Sequence, residues 1–207
     1  TVIRYVNFAK MTAQELAQSL KFEAQKHIPF SVSEVNLDAS VLRPDLPDSK
    51  MLVLLAAVKK EFLGQRLKIM ESSGLSVNSV DMDSIALINA FNFNYPKEDL
   101  PQPKSVALLN IGASFSNLSI LEEGIPRLSR DIQVAGNNFT QKLKESLEIS
   151  FKSAEAMKLS PDKDKSEKIS QALDSVLATL AAEVRTSFDY YESQNALSVG
   201  KIFLSGA

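Results

Sequence analysis

Residues Ser105 to Thr140 read SVALLNIGASFSNLSILEEGIPRLSRDIQVAGNNFT, and the rest of the chain is best understood from this stretch outward. Val106 to Leu109 form an apolar strand that runs into Asn110-Ile111-Gly112-Ala113-Ser114. A second strand pattern, Phe115 to Leu121, comes straight back, and Glu122-Glu123-Gly124 turns the chain into a third. A strand that turns on Gly and small residues leaves backbone N–H groups pointing outward, a nest suited to an anion such as phosphate. Asn110 falls at the strand end, Gly112 permits close backbone approach, and Ser114 and Ser116 add hydroxyl donors. A plain β-hairpin closed by a Gly turn explains the same residues, so the stretch alone leaves both readings open.

Composition narrows the classes. The chain has 207 residues, 44 % of them hydrophobic, enough for a packed core in one or two domains. A formal net charge of −2 gives no basic excess, which argues against a nucleic-acid partner. With no Cys there are no disulfides, zinc thiolates or Cys nucleophiles, as suits a reducing compartment. The longest apolar run, Met51 to Val58, is far below the roughly 18 residues that span a bilayer, so no direct membrane insertion is expected. No signal peptide is visible, and the chain opens abruptly on TVIRYV, so it is expected to be a piece of a longer protein.

The remaining elements follow from pattern. Val2 to Phe8 is a short strand. Thr12 and Glu15 make a capping box at the start of a helix with Leu16, Leu20 and Ala24 on one face, stopped by Ile28-Pro29-Phe30. Val35, Leu37, Ala39 and Val41 alternate with polar residues as a half-buried strand does. Pro44 to Ser49 is a turn, and Met51 to Val58 reads as a strand covered on both faces. A helix over Lys59 to Ser73 is expected to bury Phe62, Leu63, Leu67 and Met70, with Gly74 ending it. Val77 to Met82 is strand-like, and Asp83 or Ser84 caps a helix through Phe91. Pro96, Pro101 and Pro103 mark a linker and a lobe boundary. Helices follow over Asn137 to Ile149 and Phe151 to Leu159. A long one runs on 3–4 spacing from Ile169 to Tyr191, and Lys201 to Ser205 is a last strand. The class is α/β.

Further candidate residues each have a plain alternative. Gly136-Asn137 opens a helix, where N–H groups attract anions, or Asn137 is simply its N-cap. Glu155 and Lys158 share a helix face, either as a solvated ion pair or as contacts to a ribose or base. Gly206 ends an apolar strand, as a buried strand end or as a second backbone loop across a cleft. His27 is the single His, too few for a His-based metal site. Asp81 and Asp83 are read as a strand end and a helix cap, and Lys163 to Lys168 as a solvated run.

The order of these motifs resembles the PilM family of type IV pilus assembly proteins, relatives of the division protein FtsA with an actin/Hsp70-like (ribonuclease H-like) fold. The resemblance rests on the helix ending Glu23 to Ile28-Pro29-Phe30, on Leu37-Asp38 and the apolar run ending Ala56-Ala57-Val58-Lys59, and on Ser73-Gly74-Leu75 with Val80-Asp81. It continues through Asn110-Ile111-Gly112-Ala113, Arg130-Asp131-Ile132 with Gly136-Asn137, Ala154-Glu155 with Lys158, and Leu204-Ser205-Gly206. It implies a partial actin-like fold with an inserted α+β subdomain (1C) over residues 1–74 and a return to the first lobe over 75–103. A second-lobe sheet and helix (2A) would follow over 104–150, a helical subdomain (2B) over 151–199 and a closing 2A strand over 200–207.

It further implies an ATP-binding scaffold, with Asn110, Gly112, Ala113, Ser114, Gly136, Asn137, Glu155, Lys158 and Gly206 at the nucleotide, and Mg²⁺ only weakly expected. Asn110 stands where the family usually has Asp, and an amide gives a Mg²⁺ shell no negative charge, so weak or no hydrolysis is expected. Residues 1–207 hold no Asp-x-Gly hairpin for the first phosphate loop, so this segment alone is expected to bind nucleotide poorly. The implied partners are the cytoplasmic N-terminal tail of a PilN-like inner-membrane protein and other pilus platform proteins or motor ATPases. The implied location is the cytoplasm, at the membrane through that partner. Two other roles share the superfold: an FtsA-like filament former, which needs an amphipathic membrane helix, and a sugar- or acetate-kinase-like enzyme, which needs a catalytic acid. Neither feature is found in the sequence.

Overall fold

Two β-sheets organise the chain in a computed structural model that describes residues 1–95, 105–161, 166–195 and 197–206. They belong to two units, Thr1–Met82 and Asp83–Ala207. Residues 96–104 of the expected Pro-rich linker lie outside the described residues, as do residues 163–165 of the expected charged run.

The first unit is built on β1 (Val2–Ala9), β2 (Val35–Leu46) and β3 (Lys50–Lys59), antiparallel in the order β1-β3-β2. The central position of β3 explains its unbroken apolar run, because both its edges are paired. Its Met51, Val53, Leu55 and Ala57 are buried against helix α1 (Ala13–Ala24), which contributes Leu16 and Ala24. The other face of β3 is less covered than expected: Leu52 is buried, but Leu54, Ala56 and Val58 are only half-buried.

The α1 capping box forms as read. Thr12 N–H donates to Glu15 Oε2 at 2.7 Å, and Glu15 N–H donates to Thr12 Oγ1 at 3.3 Å. His27 follows the helix, its ring 5.9 Å from that of Phe8. The expected turn at Pro44 is shorter than read, since β2 continues to Leu46 and a single 3₁₀ turn, Pro47–Ser49, closes the hairpin.

Helix α2 (Lys60–Ser72) corrects a sequence expectation. None of its residues is buried; Phe62 and Met70 are exposed, and Leu63 and Leu67 half-buried. It ends as predicted, in a Schellman motif. Gly74 takes φ +76° and donates to Glu71 at 2.9 Å, and Leu75 donates to Met70 at 3.1 Å. Val77 to Met82 is not a strand: the residues pair with neither sheet, and Val77 and Val80 are exposed. Without a ladder partner, β-propensity has nothing to act on. Asp81 accepts from the Met82 N–H at 2.8 Å and forms no pair with Asp83.

The second unit opens with α3 (Asp83–Asn94), whose first turn already contains Asp83 rather than being capped by it. Strands β4 (Ser105–Ile111), β5 (Ser116–Glu122) and β6 (Ile125–Ile132) form an antiparallel meander. Helices α4 (Gly136–Leu147), α5 (Phe151–Leu159) and α6 (Ser166–Gln194) then carry the chain to β7 (Lys201–Gly206), parallel to β4. The sheet order is β6-β5-β4-β7. The boundary between units falls before α3, so Ile88 and Phe91 pack with Val106, Leu108 and Leu121 on one face of this sheet.

Ala107, Leu109, Leu118, Ile120 and Ile132 fill the other face against Leu180, Val184 and Tyr191 of α6. Leu118 and Ile120 are fully buried, each worth about 1.5–3 kcal/mol in area terms. At 29 residues α6 is about 43 Å long, so it serves two cores. Ile169 packs with Leu143 of α4 and Ala154 of α5, while its later turns lie on the sheet.

Candidate functional site at the carboxyl end of β4

β4 and β7 run parallel, so their carboxyl ends meet. Asn110 pairs with Ser205 and Ile111 with Gly206. The β4–β5 turn, Gly112 to Phe115, leaves the sheet at this same end. Gly112 has a structural reason: a Cβ there would lie 2.8 Å from the Phe115 carbonyl oxygen. Gly206 has a stronger one, with φ +121°. Ala113 and Ser114 are exposed at the turn.

The start of α4 is stitched onto this turn. Gly136 N–H donates to the Gly112 carbonyl and Asn137 N–H to the Ala113 carbonyl, each at 2.8 Å. This revises the expectation that these two donors face an anion, since both are committed within the protein. The N-cap is Ala135 rather than Asn137, and its N–H is satisfied by Asn138 Oδ1 at 2.9 Å. The helix also ends two residues early, at Leu147, with Glu148 left-handed at φ 53°.

Glu155 and Lys158 reach the same corner from α5. Lys158 Nζ lies 2.8 Å from Glu155 Oε2, 2.9 Å from Thr140 Oγ1 and 3.3 Å from the Gly136 carbonyl. The single O–H of Thr140 has two acceptors within reach, Glu155 Oε2 and, at 3.1 Å, the Gly136 carbonyl. The bonds from Lys158 and Thr140 hold the Glu155 carboxyl below its ordinary pKa. The solvated ion pair considered from sequence is thus a packed network.

Asn110 accepts from Ser205 Oγ at 3.1 Å. Beside it, Asn117 and Asp131 continue a polar row across the sheet, linked by Asn117 Nδ2 to Asp131 Oδ1 at 2.5 Å. Ser116 is not available as a donor to a ligand: its fully buried hydroxyl donates to the Val134 carbonyl at 2.7 Å. Sequence reading missed Thr140 and Asn117. Their only signal was a polar residue on a buried face, which becomes visible once the packing is known. Among the described residues no group of three or more acidic or His side chains could hold a metal ion. Mg²⁺ there would rely on the Asn110 carbonyl, water and the ligand's own oxygens.

All nine nominated residues therefore lie at or beside one end of one sheet, on β4, the turn after it, α4, α5 and β7. No helix among the described residues is long and apolar enough to cross a membrane.

Against known proteins, the chain is similar to the PilM-PilN type IV pilus biogenesis complex at TM-score 0.83 and 25 % identity, covering 100 % of this chain and 59 % of that one. It thus spans 59 % of the length of that relative. It is also similar to the ethanolamine utilization protein EutJ from Carboxydothermus hydrogenoformans, at TM-score 0.42 and 19 % identity over 50 % of this chain and 36 % of that one. The corresponding values for MreB5 of Spiroplasma citri bound to ADP are 0.39 and 22 %, over 49 % and 31 %. The fold is mixed α/β of the actin-like class. The family model for type IV pilus assembly protein PilM matches residues 2–207, and the chain belongs to that family.

Proposed function

We propose that this chain is the inserted subdomain and much of the second lobe of an actin-like, ATP-binding scaffold in the type IV pilus assembly platform. One observation carries the nucleotide half: the β4–β5 turn, the start of α4, the α5 pair Glu155–Lys158 and the end of β7 converge on one corner. In this reading the turn at Gly112-Ala113-Ser114 takes the phosphates, the α5 pair takes the nucleoside and Gly206 opens the facing loop. In this reading residues 1–74 are subdomain 1C, 75–103 return to the first lobe, 104–150 with the closing strand are 2A and 151–199 are 2B.

Mg²⁺, when bound, would offset phosphate charge. Asn110 would contribute a neutral carbonyl and no charge to its shell, which favours holding ATP over cleaving it. The partner half rests on family membership and on the PilN in the similar complex. It assigns the cytoplasmic tail of a PilN-like membrane protein as partner, with other platform proteins or motor ATPases beyond it, and a cytoplasmic position at the inner membrane.

The test uses the full-length protein that contains this chain. ATP with Mg²⁺ should raise its melting temperature, and a labelled PilN-tail peptide should bind by fluorescence anisotropy. No thermal shift at millimolar ATP sinks the nucleotide half; no anisotropy change sinks the partner half.

A further inference from the structure

β6 is an edge of its sheet: the order β6-β5-β4-β7 leaves one of its sides with no strand beside it among the described residues. Unpaired N–H and C=O groups along such an edge are a template for another extended chain, and folded proteins blunt them with proline, bulges or charge. On β6 the first two of these devices stand at one end. Pro126 has no N–H, and the pairing with β5 shifts beside it, between Ile120 and Leu121. Leu128 to Ile132 has neither. The side of this segment that faces α6 is set by its contacts. Leu128 and Ile132 join the core formed with α6, and between them Arg130 donates to Glu183 Oε2 at 2.7 Å and to the Ser187 hydroxyl at 3.1 Å. An open cleft of about 300 Å³ lies between β6 and α6, lined by Leu128, Ser129, Arg130, Thr186, Ser187 and Tyr190. The Tyr190 ring is mostly exposed there.

We infer that this edge and cleft dock an extended segment of a partner protein, which adds a strand outside β6 with an apolar side chain in the cleft and an acidic one on Arg130. A strand laid along β6 sends every second side chain to the α6 face. A side chain opposite Leu128 enters the cleft beside Tyr190, and one two positions away meets Arg130. A guanidinium has five N–H donors, and Arg130 spends two of them on α6, so it can bond a second carboxylate. Glu183 and the buried Ser187 hold the guanidinium in place before the strand arrives, which lowers the ordering cost of docking. Charge decides the occupant. In an antiparallel pair with a second copy, β6 would present Leu128, Arg130 and Ile132 on the α6 face and no acid, because Asp131 lies on the opposite face of the strand. A partner strand with an acid two residues from an apolar side chain fits where β6 itself does not. Docking at this edge needs no nucleotide.

The probe is a fluorescein-labelled, end-blocked peptide, Val-Thr-Glu-Thr-Leu-Thr. Its Glu and Leu fall opposite Arg130 and Leu128 when it runs antiparallel to β6, the direction in which β5 already pairs. Added to the full-length protein that contains this chain, it should bind saturably by fluorescence anisotropy and slow amide hydrogen exchange over residues 126–132. Replacing its Glu by Gln should weaken binding roughly fivefold, the scale of an exposed ion pair. In Arg130→Gln that difference should fall below about twofold, because the charge partner is gone. Tyr190→Ala should weaken binding at least roughly tenfold, as loss of an aromatic anchor does. Its urea midpoint should hardly move, since the ring is mostly exposed. The substitution in the peptide reads the charge contact even where a protein variant does not fold. No saturable binding, binding indifferent to the peptide's Glu or to Tyr190, or binding without slower exchange at β6 overturns the proposal. Self-association that Tyr190→Ala abolishes, with no peptide binding, overturns it too and assigns the edge to a second copy.

Discussion

Gly206 and Ile111 approach more closely than any side chain would permit: a Cβ on Gly206 would stand 2.1 Å from the Ile111 carbonyl oxygen. The contact follows from the parallel pairing of β7 with β4, which sets these two residues side by side. The positive φ of +121° adds a second bar to any side chain.

Gly206→Ala should therefore push the end of β7 away from β4 and lower the stability of the second unit by at least about 1–3 kcal/mol. Urea denaturation of the variant checks it. An unchanged midpoint would mean that β7 does not hold this register in solution.

Gly64 offers the opposite case. It lies inside α2, and a Cβ there meets nothing within 4 Å. Gly64→Ala should stabilise the first unit by about 0.5–1 kcal/mol, because glycine loses more backbone entropy than alanine in a helix. A fall in the thermal midpoint of that unit would contradict the exposure of this face of α2.

The Thr12–Glu15 capping box predicts a pH dependence. The Thr12 backbone N–H, and then its hydroxyl, hold the Glu15 carboxyl below its ordinary pKa. A depressed carboxylate binds fewer protons in the folded state, so its contribution is fully present above the unfolded pKa. It is lost as pH falls through the folded one. Glu15→Gln should flatten the stability-versus-pH curve across that window, from the unfolded pKa down through the folded one. Thr12→Ala should remove the cap at a loss of about 1 kcal/mol near neutrality. Parallel curves for wild type and Glu15→Gln from pH 3 to 7 would refute the assignment.

Ser105 and Tyr191 join β4 to α6 by a buried 2.8 Å hydrogen bond between their hydroxyls. Tyr191→Phe takes away this partner of a Ser105 hydroxyl that has no access to water, and should be destabilising by about 1–3 kcal/mol. Adding Ser105→Ala should recover part of the loss, since both polar partners are then gone. Strictly additive losses would show that the two hydroxyls are uncoupled.

Much of the fold was legible where a local interaction decides it. The capping box at Thr12 and the glycine end of α2 at Gly74 depend on neighbours in sequence and form as read. The readings that failed needed a distant partner. Val77 to Met82 has strand composition but no strand beside it, and α2 has a helical apolar stripe that nothing in its unit buries. In the candidate site the tight turn at Gly112 was legible, because turn chemistry is local. Thr140 was not, because its role comes from the packing of α5 on α4.

By itself, then, the amino-acid sequence determined the family, most of the order of elements, and the tight glycine turn after β4. These rest on periodicity and on which residues permit tight turns. Only the tertiary structure decided where the polar groups of that corner find partners. It committed the Gly136 and Asn137 N–H groups to the turn's carbonyls and drew Lys158 onto Glu155, Thr140 and the Gly136 carbonyl. The reason is physical: a buried polar group must find a partner wherever folding brings one, and that partner is set by packing rather than by spacing along the chain.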